Sequence, residues 1–329
     1  MVKLKQIKEA NSSFARERNE DLIFVFAGAT SGIGAATLEK LATMVQSARF
    51  YIAGRSAARF ASQRTKLEYL NPNLAIVFFE CDISLFRGVD AFAKAIASIE
   101  TKVDYLFMSQ GKLPLTGSEF TNEGLETCFT LSYYTRALLI SSLLPLLSHS
   151  LNPRVLSVLN GGKEKALNES DLALAKPGSW SPLGVITQAT TLTTLALDHL
   201  SSQHQNITFI HAFPGLVRTD ISTHMVAPQG AGWFRRIWAV VLRAVVGTMI
   251  RVLGVTTEVS GERQAYHLTG LKVQPGLSLV DEHSDVVPVP AVVLRYRAEG
   301  WPERVWEFTV GVFEKVFSVQ SEAAGVTSA

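Results

Sequence analysis

The chain has 329 residues, 47% of them hydrophobic, and its 31 Lys and Arg against 29 Asp and Glu leave a formal net charge of +2. That length suits one large domain or two small ones, the apolar content suffices for a full core, and the charge gives no electrostatic basis for binding nucleic acid. Two cysteines, Cys81 and Cys128, cannot build a disulfide framework, so a reducing, cytoplasmic setting is expected.

Residues 1–20 alternate charged and polar side chains without a continuous apolar run. No secretory signal is expected there, and the segment reads as an extension packed on the core. The first strand candidate is 22–27. It runs into Ala27-Gly28-Ala29-Thr30-Ser31-Gly32-Ile33-Gly34 and then into a helical pattern over 33–45. Gly28, Gly32 and Gly34 let the backbone approach a phosphate. The first helical turn, through Thr30, Ser31 and Ile33, offers unpaired N–H groups and the positive end of the helix dipole. Together they predict a seat for a dinucleotide pyrophosphate.

The second strand candidate, 49–53, is followed by Gly54, Arg55 and Ser56. An acid about 20 residues past such a glycine turn takes the ribose hydroxyls of NAD, whereas an arginine suits the extra phosphate of NADP. No acid lies between Phe50 and Ser56, so Arg55 and Ser56 are expected to hold that phosphate, the guanidinium gripping it bidentately. A helical pattern over 57–69 leads to a third strand at 75–80, which ends at Cys81, Asp82 and Ile83. Another helix, 86–99, leads to a fourth strand at 103–108, which ends at Ser109, Gln110 and Gly111.

A long helical pattern covers 122–148. The fifth strand candidate, 154–159, ends at Asn160. A helix over 186–203 precedes the sixth strand, 206–212, and the turn Pro214-Gly215-Leu216-Val217-Arg218-Thr219. A short strand at 277–280 and a last helix at 302–318 follow. This alternation predicts an α/β fold: a Rossmann-type, doubly wound parallel sheet of about seven strands in three α/β/α layers. The expected division is an extension at 1–20, a dinucleotide-binding core at 21–220, and at 221–329 an α-helical substrate lid with the C-terminal part of the same domain.

The stretch 233–255 is rich in Ile, Val, Leu and Trp, but Arg235, Arg236, Arg243 and Arg251 interrupt it. A spanning helix needs roughly 20 consecutive apolar residues, and no arginine-free run here approaches that. Three readings stay open: a lid over an apolar pocket, a helix lying on an internal membrane surface, or a dimer contact. Monomer and homodimer are both compatible with them. No metal site is expected.

The glycine spacing G-x-x-x-G-x-G, followed in order by Asp82-Ile83, Gly111 and the P-G-x-V-x-T turn, resembles the short-chain dehydrogenase/reductase family. The resemblance implies that Asp82 and Ile83 touch an adenine. It also implies that Gly111 keeps a close approach to the cofactor, and that Pro214, Gly215, Val217 and Thr219 face a nicotinamide. NADP(H) is the cofactor so implied. Ser109 and Gln110 stand where the family's N-N-A-G stretch has its second Asn and its Ala.

The family's proton transfer rests on Y-x-x-x-K, with the tyrosine pKa lowered by the lysine ammonium. This chain departs from that pattern. It has no tyrosine between Tyr134 and Tyr266 and no lysine between Lys176 and Lys272. Gly184 and Gln188 stand in the two positions, Asn160 replaces the usual Ser, and Ser132 replaces the usual helical Asn. Ser132, Tyr133, Asn160 and Gln188 are therefore the catalytic candidates. Tyr134, Lys163 and Lys165 are further substitutes, and His211 reads as a core histidine.

Local stretches such as Met108-Ser109-Gln110-Gly111 and Ser260-Gly261-Glu262-Arg263 resemble a fungal branch of the family that commonly lacks the Tyr/Lys pair. That resemblance implies a small hydrophobic, polyketide- or terpenoid-like substrate. The expected activity is NADP(H)-dependent hydride transfer on a hydrophobic ketone, enone or alcohol, with non-standard proton transfer. The alternative is a redox-inactive scaffold serving as an isomerase, a cyclase or an NADP-binding regulator.

Overall fold

The computed structural model describes residues 1–17, 19–113, 117–219 and 233–326, without the side chains of 234–236, 239 and 321–326. Residues 220–232, where the expected lid begins, lie outside the described residues.

The sheet is nucleated by strands too apolar to face water on either side. β1 (Leu22–Ala27) reads Leu-Ile-Phe-Val-Phe-Ala and is buried along all but its first residue. It pairs in parallel with β2 (Ala48–Gly54) on one side and β4 (Tyr105–Met108) on the other. β3 (Leu74–Glu80) extends the sheet beyond β2. β5 (Arg154–Val158), β6 (Thr208–Ala212) and β7 (Gly276–Val280) extend it beyond β4, all in parallel. An eighth strand, β8 (Val286–Val287), adds antiparallel to β7, one more than the seven expected. It is two residues long, too short to leave a period-two signature.

The order is β3-β2-β1-β4-β5-β6-β7-β8, so the chain reverses direction across the sheet between β1 and β4. That switch opens a crevice at the carboxyl ends of the strands. One face is covered by α2 (Gly32–Ala42), α3 (Ala57–Leu70) and α9 (Thr257–Thr269), which pack Leu38, Leu41, Phe60 and Leu268 on Phe24, Phe26 and Phe50. The other is covered by α4 (Phe86–Ala97), α6 (Thr135–Ser148), α7 (Pro182–Gln203) and α11 (Trp301–Val326).

The 122–148 pattern is not one helix. It resolves into α5 (Thr127–Phe129), a π-helical segment (Thr130–Tyr134) and α6. Helix α7 begins four residues before the expected 186, because Ser181 caps it by accepting from the Gly184 N–H (3.0 Å) and Pro182 follows. The N-terminal residues form α1 (Leu4–Arg16), which buries Ile7, Asn11 and Phe14. α1 packs on α9, and α9 on α2. Gly261 lets the second pair come close, since a Cβ there would sit 2.6 Å from the Ala36 carbonyl oxygen. α8 (Trp233–Leu253) and α10 (Ala291–Ala298) complete the helices among the described residues.

Candidate functional site

A cleft of about 490 Å³ lies at the β1–β4 switch point. Its floor is the turn after β1. Gly28 has φ +78°, and a Cβ there would stand 2.2 Å from the Gln110 backbone nitrogen. Gly34 is equally confined, its Cβ position being 2.3 Å from the Gly28 carbonyl oxygen. Only hydrogen fits at both, so β1, the start of α2 and the end of β4 meet at backbone distance. Ser31 occupies the N-cap of α2, yet its side chain makes no capping hydrogen bond, which leaves the amides of that helix end facing the cleft for an anion.

The rest of this wall follows the strand ends. Gly28, Thr30, Ser31, Gly32, Ile33, Arg55, Asp82, Ile83, Gly111 and Thr219 all line the cleft. Arg55 is exposed at the end of β2 and makes no ion pair among the described residues. Asp82 holds its own turn by accepting from the Ser84 N–H (2.9 Å) and Oγ–H (2.7 Å). Thr219 lies against Gly32, with its Cγ2 3.1 Å from the Cβ position there. Gln110, where the family motif has Ala, is buried and lines the cleft, and its Oε1 has no hydrogen-bond partner among the described residues. A buried unmatched acceptor beside the switch point is a place for a ligand donor.

Other expected contacts stand back from the cleft. Gly34 supports the turn from behind, and Ser56 caps α3, accepting from the Arg59 N–H (3.3 Å). Pro214 and Gly215 turn the chain after β6, and Val217 is buried in a bridge to Val255.

The opposite wall differs from expectation. Gln188 is buried in α7 and does not line the cleft. Its Oε1 accepts from the Asn168 N–H (2.9 Å) and its Nε2 donates to the Leu172 carbonyl (3.2 Å), so it holds the loop before α7. Tyr133 is buried against α11, its hydroxyl bonded to Thr309, and burial pushes its pKa well up. Tyr134 is buried with its pKa raised in the same way. Ser132 is buried with its Oγ 3.9 Å from Cys128 Sγ. Asn160 donates from Nδ2 to Thr190 Oγ1 (3.2 Å). Lys163 pairs with Glu282 at 3.6 Å, and neither it nor Lys165 lines the cleft.

His211 is a core residue. Its Nε2 accepts from the Asn160 N–H (3.3 Å), which leaves the proton on Nδ1 to be donated to Thr194 Oγ1 (2.8 Å). The Thr194 hydroxyl in turn donates to Glu164 Oε1 (2.6 Å). Burial, and next the Arg136 charge, push the imidazole down to about 3.

The sequence reading missed the groups that do reach the cleft on this side. Lys112 and Glu119 both line it and form an ion pair, and Thr127 and Leu131 stand beside them. Cys128 fixes the Lys112 backbone, its thiol donating to the Lys112 carbonyl at 2.9 Å. Burial lifts that thiol to about 12, so it serves as a donor rather than a nucleophile. The only available signal was position: Lys112 is the first residue after the glycine that closes β4.

Behind Gln110 sits Arg136, whose side chain is buried and has no carboxylate partner among the described residues. It donates to the carbonyls of Leu131 (3.2 Å), Met108 (3.3 Å), Val158 (3.0 Å) and Gln110, and to Ser157 Oγ (2.8 Å). It thereby ties the ends of β4 and β5 to the π-helical segment. Burial lowers it to about 9. No group of side chains able to hold a metal ion occurs among the described residues.

No family model matches the chain. It is 34% identical over 356 residues to the oxidoreductase lepF of Aspergillus flavus, covering 96% of this chain and 98% of that protein. It is 29% identical over 239 residues to a short-chain dehydrogenase/reductase of Stachybotrys chartarum, covering 66% of this chain and 65% of that one. Among solved structures, a 7 alpha-hydroxysteroid dehydrogenase complexed with NADH and 7-oxo glycochenodeoxycholic acid superposes with a TM-score of 0.56 at 16% identity, over 84% of this chain and 97% of that one.

Proposed function

This chain belongs to the short-chain dehydrogenase/reductase family, and on that premise we propose that it is an NADP(H)-dependent oxidoreductase acting on a hydrophobic ketone, enone or alcohol in polyketide or terpenoid biosynthesis. The observation that carries this reading is the charge layout of the cleft. Among the described residues Arg55 stands without a carboxylate partner at the β2 end, and Lys112 with Glu119 stands across the switch point, beyond β4.

The residues present suit the cofactor. The Gly28–Gly34 turn and the start of α2 would seat the pyrophosphate, Arg55 the 2′-phosphate, and Asp82 with Ile83 the adenine. Gln110 Oε1 would accept from a cofactor hydroxyl or amide, and Thr219 would face the nicotinamide. Bound NADP(H) supplies or accepts the hydride. The chain supplies enclosure and a proton. Lys112 is the cationic side chain lining that wall, with three N–H donors to offer a substrate oxygen, and Glu119 holds it in position.

The test begins with nucleotide binding. NADPH raises the melting temperature more than NADH does, and Arg55→Asp removes the difference. Equal losses for both nucleotides would remove the phosphate assignment. NADPH absorbance is then followed against a panel of apolar ketones and enones. Turnover falls about 100-fold in Lys112→Met, the scale of one positioned acid, while the NADPH melting shift is kept. Conversion of a substrate with no change in absorbance would replace this reading with a redox-inactive scaffold.

A further inference from the structure

Helix α8 has an apolar face with no protein packed on it among the described residues. Its inner side is set by Ile250, which is buried, and by half-buried Leu242 and Val246. At about 100° per residue, Ile237, Trp238, Val241, Val245, Met249 and Val252 gather within about 120° of arc on another side. All six are exposed. Arg243 and Arg251 are exposed as well. Arg235 and Arg236 belong to the same helix, and no Asp or Glu occurs anywhere from 221 to 257.

We propose that α8 docks on the surface of an anionic lipid bilayer, lying in the plane of the headgroups with Trp238 and its apolar neighbours inserted. The pattern is that of an interfacial helix: aromatic and aliphatic side chains on one face, Arg251 at its border and Arg243 on the far side, and too little apolar length to span. Among the described residues no helix is long and apolar enough to cross a membrane.

Charge selects this occupant over the two others. A second copy seated on the same face would bury the apolar side chains but leave the arginines without a counter-charge, since no acid occurs from 221 to 257. A lid would present its apolar face to the cleft, yet none of the described α8 residues lines it. The carboxyl end of the helix is also tied down: Arg218 N–H donates to the Val255 carbonyl and Val255 N–H to the Leu216 carbonyl, both at 2.9 Å. An anionic surface satisfies the arginines and the apolar face together.

The experiment is co-sedimentation of the full chain with vesicles of phosphatidylcholine alone and of phosphatidylcholine with phosphatidylserine. The chain pellets with the second and not the first, less so as salt is raised. Its tryptophan emission moves to the blue on adding the same vesicles, a readout that needs no variant. Trp238→Glu abolishes pelleting, and Arg251→Gln weakens it about fivefold. Pelleting absent with phosphatidylserine, or unchanged in Trp238→Glu, overturns the proposal. So does a parent that sediments as a dimer and becomes a monomer in Trp238→Glu, because the face then belongs to a second copy.

Discussion

On one side of the cleft, Gly28 and Gly34 leave no room for a side chain. On the other, Ser132, Tyr133, Asn160 and Gln188 have side chains that are all occupied elsewhere, in packing or in hydrogen bonds of their own. The first wall acts through backbone shape, which a substitution can only damage. The second acts through whichever side chain happens to face inward, and here Lys112 and Glu119 do so instead of the family's tyrosine and lysine. The glycine-shaped wall and the side chains that face it can therefore change independently on one scaffold.

Three measurements press on that contrast. The largest effect is expected at Gly28→Ala, where a methyl group meets the Gln110 backbone in a left-handed conformation. Overpacking and strain together should remove about 3 kcal/mol of stability in urea unfolding. A variant as stable as the parent would break the claim that shape governs this wall.

Acid comes next. The unfolded chain protonates its histidines near their ordinary 6.5, whereas folded His211 stays neutral down to about 3. Its contribution to stability is therefore full above about pH 7 and is lost as pH falls through that window, by about 2 kcal/mol at pH 5. His211→Gln should lose correspondingly less between pH 7 and pH 5. An unchanged pH profile would mean that folded His211 protonates as readily as it does in the unfolded chain, which would break its reading as a buried neutral core residue.

The smallest effect belongs to Tyr133→Phe. One hydrogen bond to Thr309 is lost, at about 1 kcal/mol, and turnover should stay at the parent's value. A large fall in turnover with the fold intact would return Tyr133 to the chemistry.

Legibility in the sequence followed the same division. The seven parallel strands lie where alternation of apolar runs and helical patterns places them, because inner strands such as β1 are buried on both faces and must be continuously apolar. The glycine turn, Arg55, Asp82 and Thr219 all reach the cleft, since each is fixed by its distance from a strand end. Gln188 misled for the converse reason. Its position on α7 was near the expected one, but whether a helical side chain faces a cleft or a neighbouring loop depends on rotation that spacing within about three residues does not resolve. In the 127–148 run the π-helical segment has a like effect on Ser132 and Tyr133, because its wider turn shifts side chains around the axis. α1 escaped notice because its charged face dominates its composition.

The stacking of α1 on α9, and of α9 on α2, has a consequence for the nucleotide. Asn11 Nδ2 donates to the Glu262 carbonyl (2.9 Å) and to Glu262 Oε2 (2.8 Å), while Glu262 Oε1 meets Lys40 of α2 at 3.0 Å. The helix whose first turn faces the cleft is thus braced from outside by a relay that starts near the amino terminus. Positions 7, 11 and 14 do not line the cleft, yet they help to set how firmly that helix end is held.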